Sequence, residues 1–95
     1  MAYAVVHRFE GGTKEQYEAA VGAVHPAGGL PEGQILHLAG PCEGGWMIVA
    51  VHDSQASWEA FRDGTLMPRM GAGIPGSFTA PPHETTFAVQ AQASA

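Results

Sequence analysis

The chain has 95 residues and a mass of 9.9 kDa, enough for one domain around one core. Hydrophobic residues make up 45% and charged ones 14%, against roughly 25% charged in ordinary soluble domains, which excludes a disordered segment and points to a face buried against a second copy. Four Lys and Arg against nine Asp and Glu leave a net charge of −5, which excludes nucleic acid and an anionic membrane as partners because no cationic stripe is available.

Residues 3–9, Tyr-Ala-Val-Val-His-Arg-Phe, read as a strand, with Tyr3, Val5, His7 and Phe9 on one face and Ala4, Val6 and Arg8 on the other. After Glu10-Gly11-Gly12, Thr13 and Gln16 fit a capping box, and Tyr17, Ala20, Val21 and Val24 form one apolar stripe, predicting a helix over 13–24. His25-Pro26 ends it, with His25 serving as a helix cap. A second strand is expected over 34–39, a turn over 40–45, and a third strand over 46–52 that is apolar on both faces. Asp53 or Ser54 caps a second helix running to Met70, with Trp58, Phe61 and Leu66 along one side and a bend near Gly64 and Pro68. Residues 71–82 form a Gly/Pro loop, read either as a lid with Ile74 and Phe78 as its apolar contacts or as a plain linker. The last strand covers 83–90, and 91–95 should fray.

The order βαββαβ has an internal echo: Ala4-Val5-Val6-His7 precedes Tyr17-Glu18-Ala19 as Val49-Ala50-Val51-His52 precedes Trp58-Glu59-Ala60. Two such halves predict an α+β, ferredoxin-like domain over 1–90, an antiparallel four-stranded sheet with two helices on one face. Right-handed crossovers are expected to set strands 1 and 3 side by side and parallel in its centre. Of their two faces, the aliphatic one (Val6, Val49, Val51) is assigned to the helices. The aromatic one (Val5, His7, Trp46, Ile48, Ala50, His52) is assigned to a homodimer interface enclosing a cavity. No apolar run is long enough to span a bilayer, the N-terminus lacks a secretory pattern, and Cys42 is alone, so a cytoplasmic protein is expected.

The stretch Val-Ala-Val-His-Asp-Ser-Gln-Ala-Ser-Trp-Glu-Ala-Phe, residues 49–61, within this element order resembles the dimeric α/β-barrel superfamily. The nearest branch is the small antibiotic-biosynthesis-monooxygenase-like proteins. The resemblance implies a face-to-face dimer with one cavity per subunit and activities ranging from cofactor-independent oxygenation and haem degradation to lactone isomerisation and polyketide cyclisation. The haem-degrading branch has asparagine at the place of His7, tryptophan at that of His52, and an iron-binding histidine after helix 2. Met67-Pro68-Arg69-Met70-Gly71 has none, so haem cleavage is not expected.

His7 and His52 are the candidate catalytic pair, expected as neighbours at one end of the cavity, since an imidazole titrates in the range useful for proton transfer. Tyr3, Val5, Phe9, His37, Trp46, Ile48 and Phe61 are the candidate substrate-binding residues; pairing outward from the turn places His37 opposite Ile48 on the same face. No Glu or second histidine at short spacing supports a metal set with His37 or His83, so neither metal nor cofactor is assigned. The expected function is a small cavity enzyme, monooxygenase-like or isomerase-like, acting on an apolar or aromatic small molecule. The alternative is a non-catalytic dimeric module that binds such a molecule.

Overall fold

A computed structural model describes residues 1–95. Its elements are β1 (Tyr3–Glu10), α1 (Lys14–Val24), β2 (Gln34–Cys42), β3 (Gly45–His52), α2 (Gln55–Phe61), a π-helical turn (Arg62–Leu66), α3 (Met67–Ala72) and β4 (His83–Ala88). The expected ferredoxin-like order is present. Thr13 caps α1 as predicted: its Oγ1 accepts from the Gln16 amide at 3.2 Å, and Gln16 Oε1 accepts from the Thr13 amide at 3.1 Å. Ser54 caps α2 by accepting from the Ser57 amide at 3.0 Å. The bend anticipated near Gly64 and Pro68 is the π-helical turn. Pro68 has no amide to offer Gly64 and its ring would crowd that carbonyl; widening the turn makes room, and Met67 N–H reaches back to Arg62.

The sheet order is β2-β3-β1-β4 and every pairing is antiparallel. The expectation that strands 1 and 3 run parallel is therefore corrected. The crossover through α1 brings β2 back parallel to β1, and the two-residue Glu43-Gly44 hairpin then reverses the chain, so β3 enters between them in the opposite sense. The hairpin is also tighter than expected, because β2 continues to Cys42 and Ala39 lies opposite Ile48 instead of Trp46. Pro41 is tolerated there because β2 is an edge strand. The slip is of two residues, so His37 and Ala39 keep their predicted face, while a bulge between Gln34 and Leu36 turns Gln34 to the side of His52.

The faces themselves are exchanged relative to expectation. Val5, Phe9, Trp46, Ala50 and His52 are buried on the side where Ala20 of α1 and Trp58 of α2 are buried. Ring contacts from His7 and His52 to Trp58, and from Trp46 to Tyr17, show that the helices cover the aromatic face. The aliphatic face is the open one. Weighing only β1 and β3 underrates it: β2 adds Leu36 and Leu38 and β4 adds Phe87, which are 45%, 56% and 52% exposed. Under the helices the rings of the sheet meet those of Tyr17, Trp58 and Phe61, so the aromatic face is matched by aromatic side chains of α1 and α2.

Gly45, opposite Glu10, lets β1 approach closely: a Cβ there would run into the Phe9 carbonyl oxygen. Gly45→Ala should cost on the order of 2–3 kcal/mol by overpacking, measured by urea unfolding; a variant within 0.5 kcal/mol, about the scatter of a neutral surface change, would show that the strand ends separate freely.

Candidate functional site

Between the sheet and the helices lies a cavity of about 70 Å³ lined mostly by apolar side chains. Of the predicted site residues, Val5, His7, Phe9, His37, Ile48 and Phe61 line it. Tyr3 and Trp46 do not. Tyr3 donates its hydroxyl to Thr86 Oγ1 at 2.9 Å, and Trp46 is buried against Tyr17 with ring centroids 5.3 Å apart. The residues brought in from elsewhere include Trp58 on α2, Leu66, Met70 on α3 and Phe78 of the 73–82 loop. Outside the cavity, sharing His7, Phe9, Trp58, Leu66, Met70 and Phe78 with it, opens a groove of about 560 Å³ whose far wall is Thr79 to Pro82.

The predicted histidine pair does not form. His7 lies opposite Ile48, whereas His52 lies opposite Tyr3, four residues along β3, or roughly 13 Å at strand rise. The antiparallel register is the physical reason: equivalent positions in the two halves run away from each other instead of meeting.

His7 instead meets Glu84, its partner across β4. Nε2 and Oε2 are 2.7 Å apart, with the histidine side chain 14% exposed and the carboxylate 46%. Its ring edges pack on Phe9 and Trp58, with centroids 6.2 and 5.9 Å away. With Nε2–H donating to the carboxylate, Nδ1 of the neutral ring carries the lone pair. Nδ1 has no protein partner, and it is not among the fully buried orphan atoms, which are Trp46 Nε1 and Ser77 Oγ. It therefore borders open space. A base whose far nitrogen rests on a carboxylate can accept a proton there, and the resulting imidazolium has its counter-charge in place.

A second polar group runs behind the cavity. Tyr17 Oη lies 2.7 Å from His37 Nε2, His37 Nδ1 2.8 Å from Gln34 Oε1, Gln34 Nε2 3.3 Å from His52 Nε2, and His52 Nδ1 3.3 Å from Ser57 Oγ. One proton arrangement satisfies all four contacts. Tyr17 O–H donates to His37 Nε2, and His37 Nδ1–H donates to the Gln34 carbonyl. The Gln34 amide then donates to His52 Nε2, and His52 Nδ1–H donates to Ser57. This requires both imidazoles to be neutral and the phenol to be protonated. Burial supplies that: it pushes His37 from 6.5 to about 4, assisted by neighbouring His25, and lowers His52 against the opposing pull of Asp53. Burial also lowers His25 and raises Tyr17. Gly33, at φ 84°, sits so close to Ser57 that a Cβ would meet Ser57 Oγ. His52 is 0% exposed with both nitrogens engaged, so it holds Gln34 and Ser57 in place and does not reach the cavity.

Ser57 opens at its other end on a polar cleft of about 850 Å³ that includes His25, Glu32, Asp53 and Arg69. No three His, Cys, Asp or Glu side chains converge as a metal-binding set, and no helix is long and apolar enough to cross a membrane.

No family model matches the sequence, and no curated protein sequence does. Solved structures do match. Rv0793 of Mycobacterium tuberculosis superposes with a TM-score of 0.71 at 17% identity, over 99% of this chain and 100% of that one. A candidate antibiotic biosynthesis monooxygenase of Chloroflexus aurantiacus J-10-fl does so with a TM-score of 0.67 at 13% identity, over 99% and 98%. The chain shares their fold. The resemblance read from residues 49–61 thus holds at the level of the fold, and the residues of the cavity carry the rest.

Glu84, Gln34, Tyr17 and Ser57 were not legible as site residues. Glu84 follows from the β1–β4 register, which residues 71–82 conceal by their irregular path; Gln34 is an isolated amide at a strand start, with no spacing signal.

The lowered histidines make stability pH-dependent. The unfolded chain takes up protons near pH 6.5 that the folded chain resists, so stability is full above pH 6.5 and falls as the pH drops towards 4. Urea unfolding across that window should show a shallower decline in His37→Gln than in the unaltered chain; equal slopes would remove His37 as the source.

Proposed function

We propose that this protein is a small cavity enzyme acting on an apolar, aromatic molecule, with His7 as the base in a cofactor-independent, monooxygenase-like or isomerase-like reaction. The observation that carries the reading is the His7–Glu84 pair at 2.7 Å on the rim of a mostly apolar cavity. His7 Nδ1 takes a proton from an acidic O–H or C–H of the bound molecule, and Glu84 holds the imidazolium. The substrate anion left behind is the species that adds dioxygen or is reprotonated at another carbon. Val5, Phe9, Ile48 and Phe61 keep water from the cavity side of His7, while half-exposed Glu84 meets solvent at the groove. His52 and His37 are positioning residues: through Gln34 they fix the back wall.

The working form is a homodimer joined through the open sheet face. Leu36, Leu38, Val49, Val51 and Phe87 share that face, and a contiguous apolar patch of this kind is unusual on a monomer. The dimer supports the sheet from behind while leaving both cavities accessible under the helices. Leu38→Lys should convert a dimer to a monomer in sedimentation velocity; a 9.9 kDa species for the unaltered chain at micromolar concentration would remove the dimer.

Oxygen uptake and product formation with a panel of phenols and hydroquinones test the chemistry. His7→Ala should lower turnover by about 10²–10⁴-fold, the usual range for a general base, and Glu84→Gln by about tenfold, with binding retained in both. Binding without turnover of any panel member by the unaltered chain would overturn catalysis and leave a binding module.

A further inference from the structure

Phe78 makes the closest ring contact in the molecule. Its ring lies on Phe9 with centroids 3.7 Å apart and planes within 10°. The other ring contacts are edge-on or tilted, with centroids from 4.8 to 6.4 Å, the usual range for aromatic side chains. The segment that delivers Phe78 has little backbone holding it down. Between Gly73 and Pro82 its loop hydrogen bonds are local, from Gly73 N–H to Met70 and from Ser77 N–H to Ile74. Gly73 and Gly76, at φ 88° and 80°, flank Ile74-Pro75 as points where the chain can turn. Ser77 Oγ is buried without a partner, so the seated position leaves a polar group unsatisfied. Phe78 is therefore seated mainly by its own side chain.

Phe78 also borders both the cavity and the groove, together with His7, Phe9 and Trp58. The cavity of about 70 Å³ is too small for an aromatic ring; a cavity that takes benzene measures about 150 Å³. With Phe78 seated, a ring is held to the groove side of His7 and cannot enter the cavity.

We propose that Phe78 is a built-in competitor that occupies an aromatic-ring subsite over Phe9, and that a planar aromatic ligand enters from the groove by displacing it. Phe9 is the fixed floor of this subsite, Trp58 its side wall, and Phe78 the residue that sets affinity. The ring subsite stands on the Phe9–Phe78 geometry; the placement of a ligand hydroxyl at His7 rests on the function proposed above. A ligand that must displace a seated side chain binds with its intrinsic affinity reduced by the open fraction, and removing the side chain restores it.

Calorimetric titration of the full chain with 2-naphthol, and with its saturated analogue decahydro-2-naphthol, tests this. Phe78→Ala should bind 2-naphthol at least fivefold more tightly than the unaltered chain, with a smaller gain for the saturated alcohol. Phe9→Leu, checked for folding by circular dichroism, should weaken 2-naphthol roughly tenfold, and should do so in the Phe78→Ala background as well. Unchanged or weaker binding by Phe78→Ala would overturn the proposal, because Phe78 would then be a wall of the site. An equal gain for both alcohols would also overturn it, since the vacated space would then not be selective for a flat ring. Phe78→Leu, which keeps the loop apolar, separates loss of the ring from loss of the loop's seat: it should reproduce most of the gain. The two readings fail separately. If Phe78→Ala tightens 2-naphthol but His7→Ala leaves the preference for 2-naphthol over naphthalene unchanged, the ring subsite stands and the role of His7 falls.

Discussion

The antiparallel pairing of β1 with both its neighbours is the constraint on which the site depends. It sets Ile48 on one side of His7 and Glu84 on the other, so one residue of slip in either strand would turn a partner to the opposite face. The imidazole then has one direction left for chemistry, away from the carboxylate and along the space under α2. Trp58 closes that space from above and touches both His7 and His52 by ring edges. A single helical side chain thus bridges two polar groups that the sheet keeps apart. The arrangement separates roles: the exposed-rim histidine retains a charge partner, and the enclosed ones stay neutral because their surroundings cannot solvate a cation.

Much of this fold was legible from residue types alone. Thr13 and Gln16 announced the start of α1, and two-residue alternation sorted β1 and β3 into their faces correctly. Pattern reading failed where the answer depends on which objects meet across space. Alternation states that Val5, His7 and Phe9 share a face, not which layer covers it; that is decided by the rings of Tyr17, Trp58 and Phe61 on the helices and by Leu36, Leu38 and Phe87 on flanking strands. The internal echo was informative about element order and misleading about the histidines. Repeating a motif in two halves suggests adjacency, whereas strands running in opposite senses set the repeats at opposite ends. Likewise Cys42 and Pro41 looked like turn residues by composition, yet they belong to an edge strand, because Glu43-Gly44 suffices to reverse the chain.

The likeness to the mycobacterial and Chloroflexus structures covers nearly the whole chain while few residues are shared. Such a scaffold constrains where a pocket lies and leaves its lining free to vary. Here imidazole and phenyl groups share the lining, and two of its polar members, Gln34 and His37, belong to a directional chain from Tyr17 to Ser57. A glutamine in the middle of that chain matters: an amide donates and accepts at once, but it does not pass a proton along as water or imidazole can. The chain therefore orders the back wall without draining charge from the cavity.

The widened turn at Arg62–Leu66 has a geometric consequence for how this scaffold can change. One residue more than an α-helical repeat is accommodated there, and each residue advances a helix by about 100°. Everything downstream is rotated by that amount relative to a regular continuation of α2, and it is this phase that brings Met70 to the cavity. Shortening the segment by one residue would straighten the rod and still leave Met70 facing the sheet, because the lost residue and the lost offset cancel; the pocket ceiling can thus change its length in a single genetic step without changing which side it shows to the strands below.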